Sequence, residues 1–349
     1  MKVSLVSLET ATPDHRFAQA ECWEILQQTK DLHQLTPVAM RILERVLTND
    51  NGIDFRYFAI NQLETLVAAN ADQLNQYFQK AAPALAEKAL QKALDRGGIK
   101  VGEIDALFVC TCTGYLCPGI SSYLAERMKL GSSVYLQDLV GHGCGAAIPM
   151  LRSASGFLAA NPNAVVACVA VEICSAAFYL DEDPGVLISS CLFGDGAAAL
   201  ILKNENEDSS LLPYLNDFRT AHRPESRDLL RFEMKNGMLR NLLDRTVPQL
   251  ASEVVKELWD HSFLGESLPD RVISHAGGRD VIEAIEIRLE KYHLEESRMI
   301  LKNYGNMSSP SVLFALKEGL NSKKESEKKW WLTSFGAGFA AHSCSLVWN

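Results

Sequence analysis

The sequence predicts an α/β fold whose main unit is built twice. Short apolar runs that are typical of buried strands alternate with longer helical stretches. Predicted strands cover residues 1–8, 106–109, 164–171 and 196–202. Predicted helices cover residues 68–94 (long or broken), 247–259 and 280–292.

A weak internal repeat relates the two halves of the chain. In the first half, a strand leads to Gly143-Cys144 and then, after another strand, to the small-residue run 194–198. In the second half, strand 271–274 leads to Gly305-Asn306 and then to the run 336–341. A duplicated α/β unit brings the two helices that open at these dipeptides together at a pseudo-twofold axis. Such switch points are where α/β folds bind their ligands.

The polar segment 203–210 (KNENEDSS) is the predicted linker between the halves. It divides the chain into residues 1–205, which carry Cys144, and residues 206–349, which carry His275 and Asn306. A second charged stretch, 322–329, is predicted to be a solvated loop before a last pair of strands.

Composition excludes several classes of protein. The formal net charge of −9 argues against a general nucleic-acid or membrane-surface binder. The sequence shows neither an apolar run of about 18 residues nor a signal peptide at its start. Its nine cysteines are an odd number at irregular spacing, which favours a reducing compartment, and we expect a cytoplasmic protein. Cys110, Cys112 and Cys117 lack the second ligand pair usual in zinc sites, so no metal is expected.

Cys144 is the most informative residue. It lies in the glycine-rich stretch 141–145 (GHGCG), between an apolar run and a small-residue helix start. The glycines allow backbone and substrate to approach closely. A helix N-terminus favours the thiolate, which is the nucleophilic form of cysteine. A buried structural thiol is the alternative interpretation of a lone cysteine.

His275 and Asn306 complete the predicted constellation. His275 lies at the carboxyl end of a predicted strand, and Asn306 opens the second repeat-related helix. Taken alone, His275 fits a capping or surface histidine, and Asn306 fits a helix N-cap. Jointly with Cys144 they suit Claisen condensation of thioesters. Cys144 takes an acyl group with the help of His275, and His275 and Asn306 donate hydrogen bonds to the enolate that forms when an extender loses CO2.

Segments spread over nearly the whole chain resemble those of the type III polyketide synthases, the chalcone and stilbene synthase relatives. They are Gly143-Cys144, 192–199 (LFGDGAAA), 275–278 (HAGG), 304–309 (YGNMSS) and 335–338 (FGAG). The resemblance implies a thiolase-like fold with five layers, αβαβα, and a homodimer. It implies an enzyme that loads a starter acyl-CoA on Cys144 and extends it with malonyl-CoA. The product is a cyclised pyrone, resorcinol or phloroglucinol type, and no metal or other cofactor is needed.

The resemblance also implies a substrate pocket. Phe193 matches a gatekeeping phenylalanine beside the nucleophile, and Ser308 matches a pocket serine. Cys117 matches a residue that reaches into the partner's cavity in the dimer. The other matched positions line the cavity wall: Cys112, Thr113, Cys174 and Ala177.

Departures from the plant members indicate a microbial branch. The stretch 275–278 has alanine where plant enzymes have proline, and 141–143 is Gly-His-Gly instead of Gln-Gln-Gly. The plant second gatekeeper falls near Arg240 or Asn241. The residues expected to bind CoA are Arg45, Arg56, Gly277 and Gly278.

Three alternatives on the same fold stay open at this point. The initiating ketoacyl-carrier-protein synthase shares the three residues but carries His-Gln-Ala-Asn where this chain has 275–278. Hydroxymethylglutaryl-CoA synthase needs a glutamate base. Glu172 lies too close to a strand end to be that base, and we predict instead that it is a hydrogen-bonded strut under the active site. A catalytically silent partner protein tends to lose the nucleophile or the asparagine, whereas this chain keeps all three residues.

Overall fold

The chain folds around one mixed β-sheet in the computed structural model, which describes residues 2–60, 62–205 and 212–349. Its strands are β1 (Lys2–Ala11), β2 (His15–Ala18), β3 (Phe55–Phe58), β4 (Ala106–Cys110), β5 (Tyr135–Leu139), β6 (Val165–Glu172), β7 (Gly196–Glu205), β8 (Tyr214–His222), β9 (Leu230–Lys235), β10 (Met238–Leu243), β11 (Arg271–Ser274), β12 (Lys329–Gly336) and β13 (Ala340–Val347). Its helices are α1 (Gln19–Gln27), α2 (Pro37–Thr48), α3 (Leu63–Val67), α4 (Ala71–Gly97), α5 (Ile120–Met128), α6 (Ala147–Ala160), α7 (Pro184–Leu192), α8 (Val247–Ser262), α9 (Arg279–Leu289), α10 (Glu295–Tyr304) and α11 (Ser311–Asn321).

The order of the strands shows the duplication directly. The nine-stranded sheet runs β11-β12-β13-β8-β1-β7-β6-β4-β5. Outward from its centre, β1-β7-β6-β4 and β8-β13-β12-β11 have the same pairings: antiparallel, antiparallel, parallel. The two halves join where β1 meets β8 through the pairs Val3↔Leu215 and Ser4↔Tyr214. The predicted internal repeat is therefore confirmed.

Helices cover both faces of each half-sheet. Helices α6 and α11 contact strands of both halves and form the middle layer, while α4 covers the first half-sheet and α8, backed by α9, covers the second. Strand β6 shows why the sequence needs two covering layers, because every residue of it is buried. Val166, Cys168 and Ala170 face the core around α6, and the alternate residues face α4. This arrangement confirms the predicted αβαβα layering.

Most predicted elements lie where the sequence placed them, and two are corrected. The long helix begins at Ala71 instead of residue 68, because Asn70 caps it by accepting from Gln73 N at 3.0 Å. The predicted linker is wrong over Lys203 to Glu205, which belong to β7 and pair with β1. Residues 206–210 of that linker lie outside the described residues, and the division into 1–205 and 206–349 stays a prediction.

Among the helices of the described residues, none combines the length and the apolar character needed to cross a bilayer. Within the same residues, no group of three or more histidine, cysteine or acidic side chains is placed to hold a metal ion.

Candidate active site

Cys144 lies on a single 3-10 turn, Gly143–Gly145, directly ahead of α6. The thiol is only 6% exposed. Gly143 has φ +56°, and a side-chain Cβ there would lie 2.9 Å from the backbone nitrogen of Ala337. Glycine is therefore required for this turn to pack against the β12–β13 connection. The local sequence thus holds Cys144 at the point where the two half-sheets meet the middle layer.

Asn306 precedes α11 in the second half, and its amide orientation is set by two neighbours. Its Nδ2 donates to the carbonyl oxygen of Gly277 at 3.0 Å, and its Oδ1 accepts from the backbone nitrogen of Ser308 at 2.8 Å. The backbone of Asn306 forms a bridge with Phe193. An amide nitrogen carries two hydrogens, so one N–H of Asn306 is left to donate to a ligand.

His275 follows β11 and is completely buried. Its backbone N–H donates to the carbonyl oxygen of Thr333 at 2.9 Å, and its ring packs edge-on against Phe335 with centroids 5.1 Å apart. Neither ring nitrogen has a hydrogen-bond partner among the described residues. Buried polar atoms are almost always paired in folded proteins, so both ring nitrogens are available to a substrate or to the nucleophile.

Ser308 connects the nucleophile to the asparagine. It has φ +58°, a conformation that few residues other than glycine adopt. The strained backbone directs its N–H to Asn306, and its hydroxyl donates to Cys144 Sγ at 3.3 Å. The same hydroxyl lies 3.1 Å from Cys112 Sγ. One serine therefore positions the amide and the thiol together.

Burial sets the charge state of the two groups that titrate. It raises the pKa of Cys144 to about 12 and lowers the pKa of His275 to about 3. Thiol and imidazole are consequently both neutral at pH 7, and the expectation that the helix N-terminus favours the Cys144 thiolate is corrected, because burial outweighs it. A neutral imidazole has one nitrogen that accepts a proton and one that donates a hydrogen bond, so His275 is able to do both.

Cys144, His275 and Asn306 line one cavity of about 870 Å³, although they come from three separate parts of the chain. Phe193, Gly277, Gly278 and Arg45 line the same cavity. A separate small cavity of about 20 Å³, the inner cavity, shares Phe193 with the main cavity and is lined by Thr113, Cys174 and Ala177 among others. The geometry thus places a thiol, an imidazole and an amide donor around a space large enough for an extended ligand.

The sequence profile of the FAE1/type III polyketide synthase-like proteins matches residues 3–256. The profile of the chalcone and stilbene synthase C-terminal domain matches residues 220–345. The chain belongs to the type III polyketide synthase family. It is thus an acyl-transferring enzyme. The match to this family argues against the alternative of an initiating ketoacyl-carrier-protein synthase.

Curated relatives and solved structures agree with this assignment. The 1,3,6,8-tetrahydroxynaphthalene synthase of Streptomyces peucetius subsp. caesius is 29% identical over 99% of this chain and 93% of its own length. The 3,5-dihydroxyphenylacetyl-CoA synthase of Streptomyces toyocaensis is 29% identical over 77% of this chain and 73% of its own. The crystal structure of the 1,3,6,8-tetrahydroxynaphthalene synthase from Streptomyces coelicolor A3(2) has a TM-score of 0.87 and 25% identity and covers 99% of both chains. PKS-I from the brown alga Ectocarpus siliculosus shares the fold, with a TM-score of 0.90, 24% identity, and coverage of 100% of this chain and 98% of its own.

Arg56 of this polyketide synthase is buried and does not line the main cavity, which corrects the expectation that it contacts CoA. It is 3% exposed, and its guanidinium donates to Gln19 Oε1 at 2.7 Å and to the carbonyl oxygens of Ser190 and Phe193. It stabilises the chain beside the gatekeeping Phe193 instead. Sequence reasoning missed Arg245 and Arg279, which line the main cavity with Arg45, because no local motif distinguishes them from other surface arginines.

The remaining predicted pocket residues divide between several environments. Cys112 lies beside Ser308, as described above. Cys117 is exposed and lines none of the cavities described in its own chain. Of the two candidates for the second gatekeeper, Asn241 lines the inner cavity. Arg240 points the other way and pairs with Glu233 and Asp181.

Glu172 joins the two halves of the site from beneath. It is fully buried at the end of β6, and burial raises the pKa of its carboxyl group. One oxygen accepts from the backbone and side chain of Thr113 at 3.1 and 2.8 Å and from Cys112 N at 2.9 Å. The same oxygen accepts from the Thr111 hydroxyl at 3.1 Å, and the other accepts from Ser309 Oγ at 2.5 Å. The predicted strut therefore ties the pocket wall of the first half to the turn that carries Asn306.

We expect Glu172→Leu to lower the free energy of unfolding by about 3–5 kcal/mol, because it leaves several buried donors without an acceptor. Glu172→Gln keeps one carbonyl oxygen and is expected to lose about half as much. Urea unfolding of both variants measures the difference. Equal losses in the two variants would contradict a role as hydrogen-bond acceptor.

Proposed function

We propose that this enzyme loads a starter acyl-CoA on Cys144, extends it with malonyl-CoA by decarboxylative Claisen condensation, and cyclises the product. The observation that carries the proposal is that Cys144, His275 and Asn306 line one cavity. Relatives named for a tetrahydroxynaphthalene and a dihydroxyphenylacetyl product support a polyhydroxylated aromatic product. Pyrone, resorcinol and phloroglucinol types fall within the proposal.

In the loading step, His275 takes the proton of Cys144 and the resulting thiolate attacks the thioester carbonyl. The carbon–sulfur bond to Cys144 forms as the bond to CoA breaks, and the CoA thiolate takes up the proton from the imidazolium. The transfer creates a thiolate and an imidazolium that line the same buried cavity, and their mutual attraction in a region of low dielectric offsets part of the cost of burying the two charges. Cys144 is then an acyl thioester.

In the extension step, malonyl-CoA loses CO2, and the electron pair of the broken carbon–carbon bond forms the enolate of acetyl-CoA. The free N–H of Asn306 and an N–H of His275 donate to the enolate oxygen, where the negative charge develops. The enolate carbon attacks the acyl carbonyl on Cys144, and the thiolate leaves. Loss of CO2 drives the condensation, so we propose that no metal or other cofactor takes part.

We further propose that the arginine-bearing wall of the main cavity holds CoA. Arg45 and Arg245 are exposed and make no ion pair with any described residue, and Gly277 and Gly278 line the same cavity. Arg245 lies beside Asp244 in the cavity wall and stabilises the charged form of its carboxyl group, whereas Arg45 has no such neighbour there. Exposed guanidinium groups outside ion pairs are suited to bind phosphates. The glycines allow the pantetheine arm to pass close to the backbone.

The free edge of the sheet supports a homodimer. Strand β5 is an edge strand of the described sheet, and Tyr135, Leu136 and Val140 are 48%, 36% and 52% exposed. Exposed apolar edges pair with another strand or are covered. We propose that a second copy covers this edge, and that the exposed Cys117 nearby in sequence reaches into the partner's cavity.

Nine cysteines without a disulfide fit a cytoplasmic protein.

Purified protein mixed with malonyl-CoA and a panel of acyl-CoA starters tests the proposed function. Intact-protein mass is expected to show an acyl adduct, and small-molecule analysis is expected to show cyclised polyketides without any carrier protein. Condensation that requires malonyl-carrier-protein would overturn the proposal in favour of the initiating ketoacyl synthase. The absence of both adduct and product under either condition would favour a catalytically silent protein.

Replacing Phe193 with alanine is expected to broaden the range of starters. Phe193 lines both the main and the inner cavity, so its removal joins them and admits longer acyl groups. Turnover with a series of straight-chain acyl-CoA starters measures the effect. Phe218→Leu alters a partly buried phenylalanine of β8 that lines neither cavity, and it is the matched control. An unchanged starter profile in Phe193→Ala would mean that Phe193 only packs.

A further inference from the structure

Arg56 is a buried charge that has no carboxylate partner. It lies in β3 and is almost completely buried. No carboxylate among the described residues forms an ion pair with it. Burying a charge is costly unless neighbouring groups compensate it. The groups that surround Arg56 therefore indicate its role.

The C-terminal end of α7 compensates the charge. Arg56 Nη1 donates to the carbonyl oxygen of Ser190 at 2.8 Å and to that of Phe193 at 3.0 Å. Ser190 lies in the last turn of α7, and Phe193 directly follows the helix. The last carbonyl groups of a helix have no partner within it and carry the negative end of its dipole. The guanidinium therefore fixes the end of α7, and Gln19 Oε1 holds it there by accepting from Arg56 Nε at 2.7 Å.

The aliphatic part of Arg56 lies against the segment that carries Asn306. A Cβ on Gly305 would lie 2.9 Å from Arg56 Cγ and 2.7 Å from the carbonyl oxygen of Leu192. A Cβ on Gly194 would lie 3.5 Å from Arg56 Cβ. Gly305 has φ +70°, so this close approach requires glycine for its conformation as well as for space. Arg56 is thus packed against both halves of the active site.

A short backbone bridge joins these two halves beside Arg56. Gly194 N donates to the carbonyl oxygen of Asn306, and Asn306 N donates to that of Leu192, both at 2.9 Å. Phe193 lies between these two hydrogen bonds, and its own carbonyl oxygen accepts from Arg56. The place of the Asn306 backbone therefore depends on the segment 192–194, which Arg56 holds.

We propose, on the basis of the proposed function, that Arg56 is a positioning residue for Asn306. By fixing the segment 192–194, it places the Asn306 amide where the enolate oxygen forms when malonyl-CoA loses CO2. A displacement of about 1 Å in such a group typically lowers a rate by about 10²-fold. Loading of Cys144 does not depend on Arg56, because the Cys144 turn packs against Ala337 and the backbone of His275 is bound by Thr333.

Arg56→Met, which keeps the length of the side chain and removes every donor, tests this proposal. It is expected to lower CO2 release from malonyl-CoA by about 10- to 100-fold and to change acyl loading on Cys144 by less than about threefold. Labelled CO2 and the intact mass of the acyl-enzyme measure the two half-reactions, with the folded fraction determined by circular dichroism. Arg56→Lys keeps a cation that donates to the same carbonyl groups, and it is expected to recover part of the lost CO2 release.

A second background shows whether Arg56 acts through Asn306. Effects of residues that act through one another are not additive, whereas effects of independent residues add. The amide is already absent in Asn306→Ala, so adding Arg56→Met there is expected to lower CO2 release further by less than about twofold. A loss that came only from a less stable protein would appear in both backgrounds and in both half-reactions.

Arg271→Met is the matched control. The Arg271 side chain is 15% exposed, forms ion pairs with Glu296 and Glu327, and lines none of the cavities described above. Its replacement is expected to lower stability and to leave the ratio of the two half-reactions at the wild-type value. If Arg56→Met is not obtained folded, Arg56→Lys is measured in both backgrounds for the same purpose.

The outcomes separate the role of Arg56 from the proposed function. Three results with an active wild type would overturn the positioning role and leave polyketide synthesis intact: unchanged CO2 release in Arg56→Met, an equal loss of both half-reactions, or an equal loss of CO2 release in the wild-type and Asn306→Ala backgrounds. A wild type that shows neither acyl adduct nor CO2 release overturns the proposed function, and the inference on Arg56 with it.

Discussion

Cys144→Ala is expected to abolish the acyl-enzyme and to lower product formation by at least about 10³-fold. The thiol lines the main cavity together with His275, and no other thiol lines that cavity among the described residues. Cys112 is the nearest alternative in the structure, because it shares the Ser308 hydroxyl with Cys144. Intact-protein mass spectrometry after mixing with acyl-CoA measures the adduct directly.

Cys168→Ala provides the control for this experiment. Cys168 is fully buried in the middle of β6 and lines none of the cavities described above. The control is expected to retain the adduct and most of its activity, with a small loss of stability from the missing sulfur. An adduct of undiminished intensity on Cys144→Ala would place the nucleophile elsewhere, and peptide mapping would then show whether Cys112 carries it.

Asn306→Ala is expected to reduce the release of CO2 from malonyl-CoA by about 10²–10³-fold, the usual effect of removing one oxyanion donor. Acyl loading on Cys144 is expected to continue, because the proposed mechanism has Asn306 donate to the enolate and gives it no part in the attack of the thiolate. The two half-reactions therefore separate in this variant. Labelled CO2 from malonyl-CoA and the intact mass of the acyl-enzyme measure them independently.

A second substitution separates the donor role of Asn306 from its contact with Ser308. Asn306→Asp retains an oxygen that accepts from Ser308 N but loses both amide hydrogens, so it is expected to lose decarboxylation as severely as Asn306→Ala. Asn303→Ala is the matched control, because the Asn303 amide donates only to the carbonyl oxygen of Met299 on its own helix. Near-normal CO2 release in Asn306→Asp would mean that Asn306 acts by holding Ser308.

Two glycines and one glutamate show which features can be predicted from the sequence alone. Gly143 and Gly305 were identified as openings of repeat-related helices, and both have positive φ in the structure. The interpretation of Glu172 as a strut is also confirmed, since a carboxylate at the end of an apolar strand must be paired. In both cases the physical requirement is local, and it can be read from a few neighbouring residues.

Arg56 and the linker show where this reasoning fails. Arg56 was expected to bind CoA because it lies near the positions where plant members carry basic residues, but the fold brings α1 and α7 over it and buries the guanidinium. Lys203 to Glu205 are polar, yet pairing with β1 keeps them in a strand. Contacts between residues far apart in the chain decided both outcomes, and composition does not report such contacts.

The sequence by itself determined the α/β class, the duplication, the family and the three residues proposed for catalysis. Short segments of the sequence are enough to recognise strand periodicity, required glycines and reactive side chains at helix starts. Only the tertiary structure decided which arginines line the cavity, that Asn241 and not Arg240 faces the inner space, and how small that space is. A shift of one residue in strand register moves every side chain to the opposite face. Cavity volume likewise depends on how side chains from both halves pack around the middle layer.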